Sequence, residues 1–192
     1  MAAVVSVGGD TTVTTQSDRS RAAQKGQGGA VQPTPVETSQ EPQEEAPTQE
    51  TKPSAAAVGG TITLKGIESE LQVAVTLEKV VENATPKNDF LKPKEGNRLY
   101  AVELILNNTG SAAYSDSPSN GAHLIDAEGQ QYRSTFGDVQ EGVAFSGSVT
   151  MSADDSRKGI IVFEIPKSTK ISKFQFALNS GFADHKGEWL TQ

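Results

Sequence analysis

The sequence predicts an all-β fold, an antiparallel β-sandwich of seven to eight strands behind a disordered N-terminal segment. Three observations lead there. From residue 58 onward apolar residues recur with the period of a strand, and no window carries a helical stripe. Turn-forming residues separate those runs at short intervals. Every aromatic residue lies at or after Phe90, whereas five of the nine prolines fall within the first 57 residues. The chain therefore divides into a linker or stalk, 1–57, and a folded domain, 58–192.

The linker is argued from composition. "QPTPVETSQEPQEEAPTQETKPS" holds almost no large apolar residue, so it cannot bury enough surface to offset the entropy of ordering. Its prolines and like charges favour an extended, solvated chain. The opening "MAAVVSVGGD" is apolar but lacks a basic leader, and it is expected to be the tail of a membrane helix whose upstream part precedes Met1.

The strands follow in order. Thr61–Ile67 alternates Ile62 and Leu64, and Leu71–Val81 alternates Leu71, Val73, Val75 and Leu77. Leu99–Leu106 places Tyr100, Val102, Leu104 and Leu106 on one face, as a central core strand would. It ends at Asn107-Asn108-Thr109-Gly110, residues that tolerate left-handed backbone and bond their own turn. The two N-x-T patterns, Asn83-Ala84-Thr85 and Asn107-Asn108-Thr109, are no more than this composition yields by chance and are read as strand stops. Ala122–Ala127 and Gln131–Phe136 flank Glu128-Gly129, which reads as a hairpin. Gly147–Ser152, Ile160–Ile165 and Lys173–Leu178 complete the set. Strand number and spacing suggest an immunoglobulin-like sandwich without its disulfide.

Composition excludes several classes of function. With no cysteine there is no disulfide, thiolate metal site or cysteine nucleophile. The net charge of −7 and the lack of a basic patch speak against nucleic-acid binding. The two histidines lie outside any nucleophile motif: His123 is expected on a strand at the sandwich edge, and His185 in a solvated loop. Asp154-Asp155 and Asp126/Glu128 sit in turns, where a carboxylate accepts local backbone bonds. No cofactor, metal site or catalytic residue is expected. Lys92, Lys94 and Arg98 are expected to form a solvated basic face, with weak attraction to anionic polymers as the alternative.

The loops are the expected binding elements. Phe90 and Leu91 stand in the polar loop 83–96, either plugging one end of the sandwich or forming a contact. Tyr114 lies in the second long loop, 110–121. Phe182, Trp189 and Leu190 lie near the C-terminus, docked on the core or forming a contact surface. The candidate binding residues are thus Phe90, Leu91, Tyr114 and Trp189.

Three stretches carry a family resemblance: "EGNRLYAVELILNNTG", "GAHLIDAEGQQY" and "KGIIVFEIPKS" with "KFQFAL". They resemble the bacterial immunoglobulin-like family called domain of unknown function DUF4352, which is related in fold to a secreted mycobacterial immunogenic protein. The matching positions are Gly96, Asn107 and Gly110, then Asp126, Gly129 and Tyr132, then Gly159, Phe163 and Pro166. The resemblance implies an exported or membrane-anchored domain behind a low-complexity linker, with no catalytic residues. The expected function is a non-enzymatic extracytoplasmic module that binds a protein or cell-envelope component. The alternative is a small-molecule or metal-ion carrier using the inter-sheet space or the end loops.

Overall fold

A computed structural model describes residues 55–145 and 147–192. The expected membrane-helix remnant and nearly all of the expected stalk lie outside the described residues. Ala56, on the stalk side of the expected boundary, belongs to the fold. Its amide donates to Glu188 O at 2.9 Å, and its carbonyl accepts from Leu190 N at 2.7 Å.

The protein is an all-β sandwich. Ten strands are present among the described residues: β1 (Thr61–Lys65), β2 (Gln72–Ala84), β3 (Asn97–Asn108), β4 (Tyr114–Asp116), β5 (Ala122–Asp126), β6 (Gln131–Arg133), β7 (Val149–Met151), β8 (Ser156–Pro166), β9 (Ile171–Ala177) and β10 (Lys186–Leu190). One sheet runs β1-β2-β3-β8, the facing sheet runs β10-β9-β5-β6, and β4-β7 form a short ribbon. All these pairings are antiparallel.

The ten strands exceed the seven to eight expected because β4 and β10 fall where the sequence shows a loop and a tail. Both are short and lie among Ser, Asp, Gly and Lys, so neither shows a long alternating run. Partners on neighbouring strands, rather than local propensity, make them strands.

β3 is the central strand, paired with β2 on one side and β8 on the other. Tyr100, Val102, Leu104 and Leu106 all face the inter-sheet core and are buried. From the other sheet come Leu124, Phe174, Phe176 and Trp189. These side chains fill the inter-sheet space. The opposite face of β3 is also covered at one end: Leu99 and Ala101 pack with Ala84, Ile160, Val162 and Val139. Val139 belongs to the segment 134–145, which lies over that face as a strap.

The end of β3 corrects the sequence reading in detail. No residue of Asn107–Gly110 has positive φ. The strand ends at Asn108, which is still in register with Val73 of β2, and the fully buried Asn108 side chain bonds the segments that leave the sheet there. Its Nδ2 donates to Ala112 O at 2.8 Å and Ser152 O at 3.1 Å, and its Oδ1 accepts from Gly110 N at 3.2 Å. Gly110 has no room for a side chain, because a Cβ there would overlap the Glu70 carbonyl.

The other matching positions are structural as well. Gly96 and Gly129 adopt φ of +85° and +86°, a region that favours glycine. Asp126 Oδ1 accepts from Glu128 N at 3.0 Å and Gln130 N at 2.8 Å, closing the β5–β6 hairpin. Its Oδ2 accepts from the Tyr132 hydroxyl at 3.0 Å. Gly159 is small because the Phe145 ring lies on it, at 2.6 Å from an added Cβ.

Candidate functional site

The structure separates the four residues put forward from the sequence. Tyr114 is fully buried in β4, and Trp189 is fully buried in β10. Neither offers a surface to a partner, which overturns their reading as loop contacts. Tyr114 faces the core opposite Met151, its β7 partner. Trp189 packs against Phe174 with ring centroids 5.7 Å apart, and its Nε1 donates to Gly60 O at 2.9 Å. Phe90 is 98% exposed in a single 3₁₀ turn capped by Asn88, so it plugs nothing; Leu91 is half-buried.

His123 lies on β5, an inner strand between β9 and β6 rather than an edge. Partial burial, then the charges of Arg133 and Lys186, hold its imidazole below its usual pKa. His185 is exposed in a loop, where its Nδ1 accepts from Lys65 N at 3.3 Å. Asp155 Oδ2 accepts from Ser152 N at 3.2 Å inside its turn. The basic face is largely paired: Lys92 with Asp89 at 2.9 Å, Arg98 with Glu82 at 3.3 Å and with Thr169 O at 2.9 Å. Among the described residues no three His, Asp or Glu side chains converge as a metal site.

Besides Phe90, two further phenylalanines face solvent. Phe136 is 92% exposed and Phe182 is 80% exposed. The sequence reading ran a strand through Phe136, but β6 ends at Arg133. Ser134 then crosses to β8 as an isolated bridge with Phe163, and the backbone turns Phe136 outward.

Two cavities meet here. One, of about 450 Å³, is floored by Ile160, Ile161 and Val162 and bordered by Phe136 and Phe145. The other, of about 420 Å³, is bordered by Arg133 and Phe182. They share Ser119, Asn120 and Ser134, so they form one groove with a polar middle and a phenylalanine on either side.

The groove walls are firmly held. The strap runs back along the β8 edge: Thr135 N donates to Val162 O at 2.8 Å, Ile160 N to Val143 O at 2.8 Å, and Phe145 N to Ile160 O at 3.0 Å. Its outer side is tied to the loop after β2 by Gln140 N to Thr85 O at 2.9 Å and Lys87 N to Asp138 O at 3.0 Å. Glu141 Oε1 accepts from Thr85 N at 2.9 Å. The opposite wall, Pro118–Gly121, is a 3₁₀ turn pressed on the end of β9, since a Cβ at Gly121 would overlap the Ala177 carbonyl. Ser134 Oγ joins the two walls by donating to Ser119 O at 2.8 Å.

The Phe182 side carries backbone strain. Asn179, Ser180 and Gly181 are consecutive left-handed residues, with φ of +52°, +55° and +91°. Such runs cost free energy and persist where their surroundings fix them. Here Asp116 accepts from Ser180 N at 2.8 Å and Ser180 Oγ at 2.6 Å, and Asn179 Oδ1 accepts from Ile67 N at 2.9 Å. The turn sets Phe182 outward. The signal that could have found both phenylalanines is local: "TFGD" and "GFAD" each set a lone phenylalanine beside a small residue, two positions before an aspartate.

Comparison with known proteins gives the fold a lineage. Residues 66–186 match the profile of a family described as a domain of unknown function, DUF4352. No curated protein matches the sequence. Among solved structures, the secreted protein MPT63 from Mycobacterium tuberculosis aligns at a TM-score of 0.53 and 14% identity, over 73% of this chain and 98% of that one. YcdA of Bacillus subtilis, a candidate lipoprotein, aligns at 0.50 and 14% identity, over 69% of this chain and 38% of its own. The YjhA protein of Bacillus subtilis aligns at 0.50 and 16% identity, over 71% and 99%.

Proposed function

The chain belongs to the DUF4352 family, and on that premise we propose that it is a non-enzymatic, extracytoplasmic binding module whose groove between Phe136 and Phe182 engages a protein or cell-envelope component. One observation carries this reading. Two phenylalanines stand almost fully exposed on either side of a groove whose walls are pinned by short hydrogen bonds. Exposing two such rings on a rigid surface forfeits apolar burial, and the forfeit is recovered when a partner covers them. The extracytoplasmic part is supported by one secreted structural neighbour and one described as a candidate lipoprotein. The non-enzymatic part is supported by the family, which is described as a domain of unknown function, and by the one bond the described residues give His185, from a backbone amide.

The test is binding of the purified protein to cell-envelope preparations. Wild-type protein should sediment with them, and the F136A/F182A variant should not. Equal sedimentation of the two would sink the reading.

A carrier of small molecules is the second reading, favoured by cavity volumes that fall in the ligand range of about 300–1,000 Å³. The filled inter-sheet core directs any such ligand to the groove. A thermal-shift screen separates the two. Stabilisation by a small apolar ligand or a metal salt, scaling with concentration, supports the carrier.

A further inference from the structure

We propose that the groove is a saccharide site, in which Phe136 and Phe182 stack on the faces of sugar rings and the shared strip of Ser119, Asn120 and Ser134 bonds their hydroxyls. The inference rests on the binding-module reading and names its ligand class. A sugar ring has an apolar face of polarised C–H bonds and an equator of hydroxyls. It asks for an exposed aromatic ring, whose face is electron-rich, beside neutral hydrogen-bonding groups. That pairing occurs twice in the groove, once on each side of the same polar strip.

Competing ligand classes fit less well. A purely apolar ligand would cover the Ser119 hydroxyl and the remaining acceptor capacity of Asn120 and Ser134 without bonding them, although Ser134 Oγ and Asn120 Nδ2 keep their bonds to Ser119 O and Ser180 Oγ. An anion would find one cation, Arg133, among the residues bordering the second cavity. An extended peptide adding to the sheet needs a free strand edge. The β8 edge here is already bonded by Thr135, Val143 and Phe145 from the strap. What the groove offers is side chains: two rings and a row of neutral donors and acceptors.

The spacing of features also suits a chain rather than a single ring. Each phenylalanine borders its own cavity, so an oligosaccharide reaching across the strip would meet both. Ser134 Oγ already donates to Ser119 O, so the strip is held in place before any ligand arrives, and ordering cost at binding is small.

The experiment is an amide-resonance titration of the full-length protein with neutral tetrasaccharides, the β-1,4 tetramers of glucose and of N-acetylglucosamine. Shifts confined to Ser119, Asn120, Ser134 and the residues flanking Phe136 and Phe182 are expected. Dissociation constants should lie at about 1 mM or tighter. F136A and F182A should each weaken binding about tenfold. Both side chains are exposed, so neither substitution removes core. No shift with either tetramer up to about 10 mM overturns the proposal, as does a shift that the two substitutions leave unchanged. The broader module reading fails separately. If the protein sediments with envelopes in a Phe136-dependent way that excess tetramer does not compete, the saccharide assignment falls and the module stands. If it does not sediment at all, the module falls too.

Discussion

The Asp116 carboxylate receives both the Ser180 hydroxyl, at 2.6 Å, and the Ser180 amide, at 2.8 Å. One acidic side chain on β4 thereby fixes the middle residue of a three-residue left-handed run. Hydrogen bonds to a charged acceptor contribute about 1.5–3 kcal/mol each when their partners are shielded. Asp116 is half-buried, so Asp116→Ala should cost about 2 kcal/mol in chemical denaturation. Ser180 provides the internal control. Glycine adopts positive φ freely, whereas alanine keeps the steric penalty and loses the hydroxyl. Ser180→Ala should therefore be less stable than Ser180→Gly by about 1 kcal/mol. Equal stabilities would show that the turn is not strained.

Asn108 ties three segments together without contributing apolar area. Its amide reaches carbonyls in the loop after β3 and at the end of β7, and its backbone N donates to Asp155 O at 2.9 Å. Replacement by alanine leaves those carbonyls facing a cavity. Each buried acceptor so stranded costs about 1–3 kcal/mol. Asn108→Ala should cost about 3 kcal/mol or more by urea unfolding. The exposed Asn107→Ala should change stability by less than about 0.5 kcal/mol. The contrast also bears on glycosylation: Asn107 is the N-x-T acceptor, and Asn108 is the residue that holds the fold.

Tyr114 makes the opposite case. Its hydroxyl is buried and has no hydrogen-bond partner among the described residues. Burial, followed by the nearby Asp116 charge, pushes its pKa far up. Removing an unpartnered hydroxyl relieves its desolvation, while the ring keeps its packing. Tyr114→Phe should be neutral or stabilising by up to about 1 kcal/mol, whereas Tyr114→Ala should cost about 3–5 kcal/mol. A loss above about 1 kcal/mol for Tyr114→Phe in thermal unfolding would mean the hydroxyl is bonded after all.

The sequence was informative where alternation ran long. β2 and β3 are at least 12 residues each and visible from their apolar period, while β8 shows as the continuous apolar run Ile160–Ile165 within its 11 residues. The β5–β6 hairpin was visible from its Asp and Gly, whose backbone demands are local. Trp189 and Tyr114 were misplaced as binding residues because their strands are short and their partners distant in sequence: Trp189 meets Gly60, and Tyr114 meets Met151. Val139 was missed for a related reason. A single valine in a polar strap becomes core only because the strap folds over β3 and β8. The groove was the least legible feature. Ser119, Asn120 and Ser134 are ordinary turn residues until the two walls meet, and Phe136 extends what looks like an alternating strand.

The Asp126 hairpin gives the fold a defined acid sensitivity. Burial alone would raise the Asp126 pKa, but bonds from Gln130 N, the Tyr132 hydroxyl and Glu128 N outweigh it. The carboxyl is held below its ordinary value of 3.8. A folded pKa below the unfolded one means that the carboxylate stabilises the fold above the unfolded value. That contribution fades as the pH falls through the folded value. The Asp126 contribution should thus be complete from neutral pH down to about 4 and fall below it, while the lowered His123 pKa adds a separate, earlier loss that starts below its ordinary value of 6.5. Glu164 shares this sign, with Asn97 Nδ2 and Lys94 N both donating to its Oε1, so it adds to the same acid limb. Asp126→Asn should lower stability at neutral pH and flatten the limb without abolishing it. Tyr132→Phe keeps the charge and removes one donor, so the Asp126 carboxyl should titrate at a higher pH by carbon NMR. An unchanged Asp126 titration in Tyr132→Phe would show that the Tyr132 bond does not contribute, and would leave the backbone amides of the turn as the sole source of the shift.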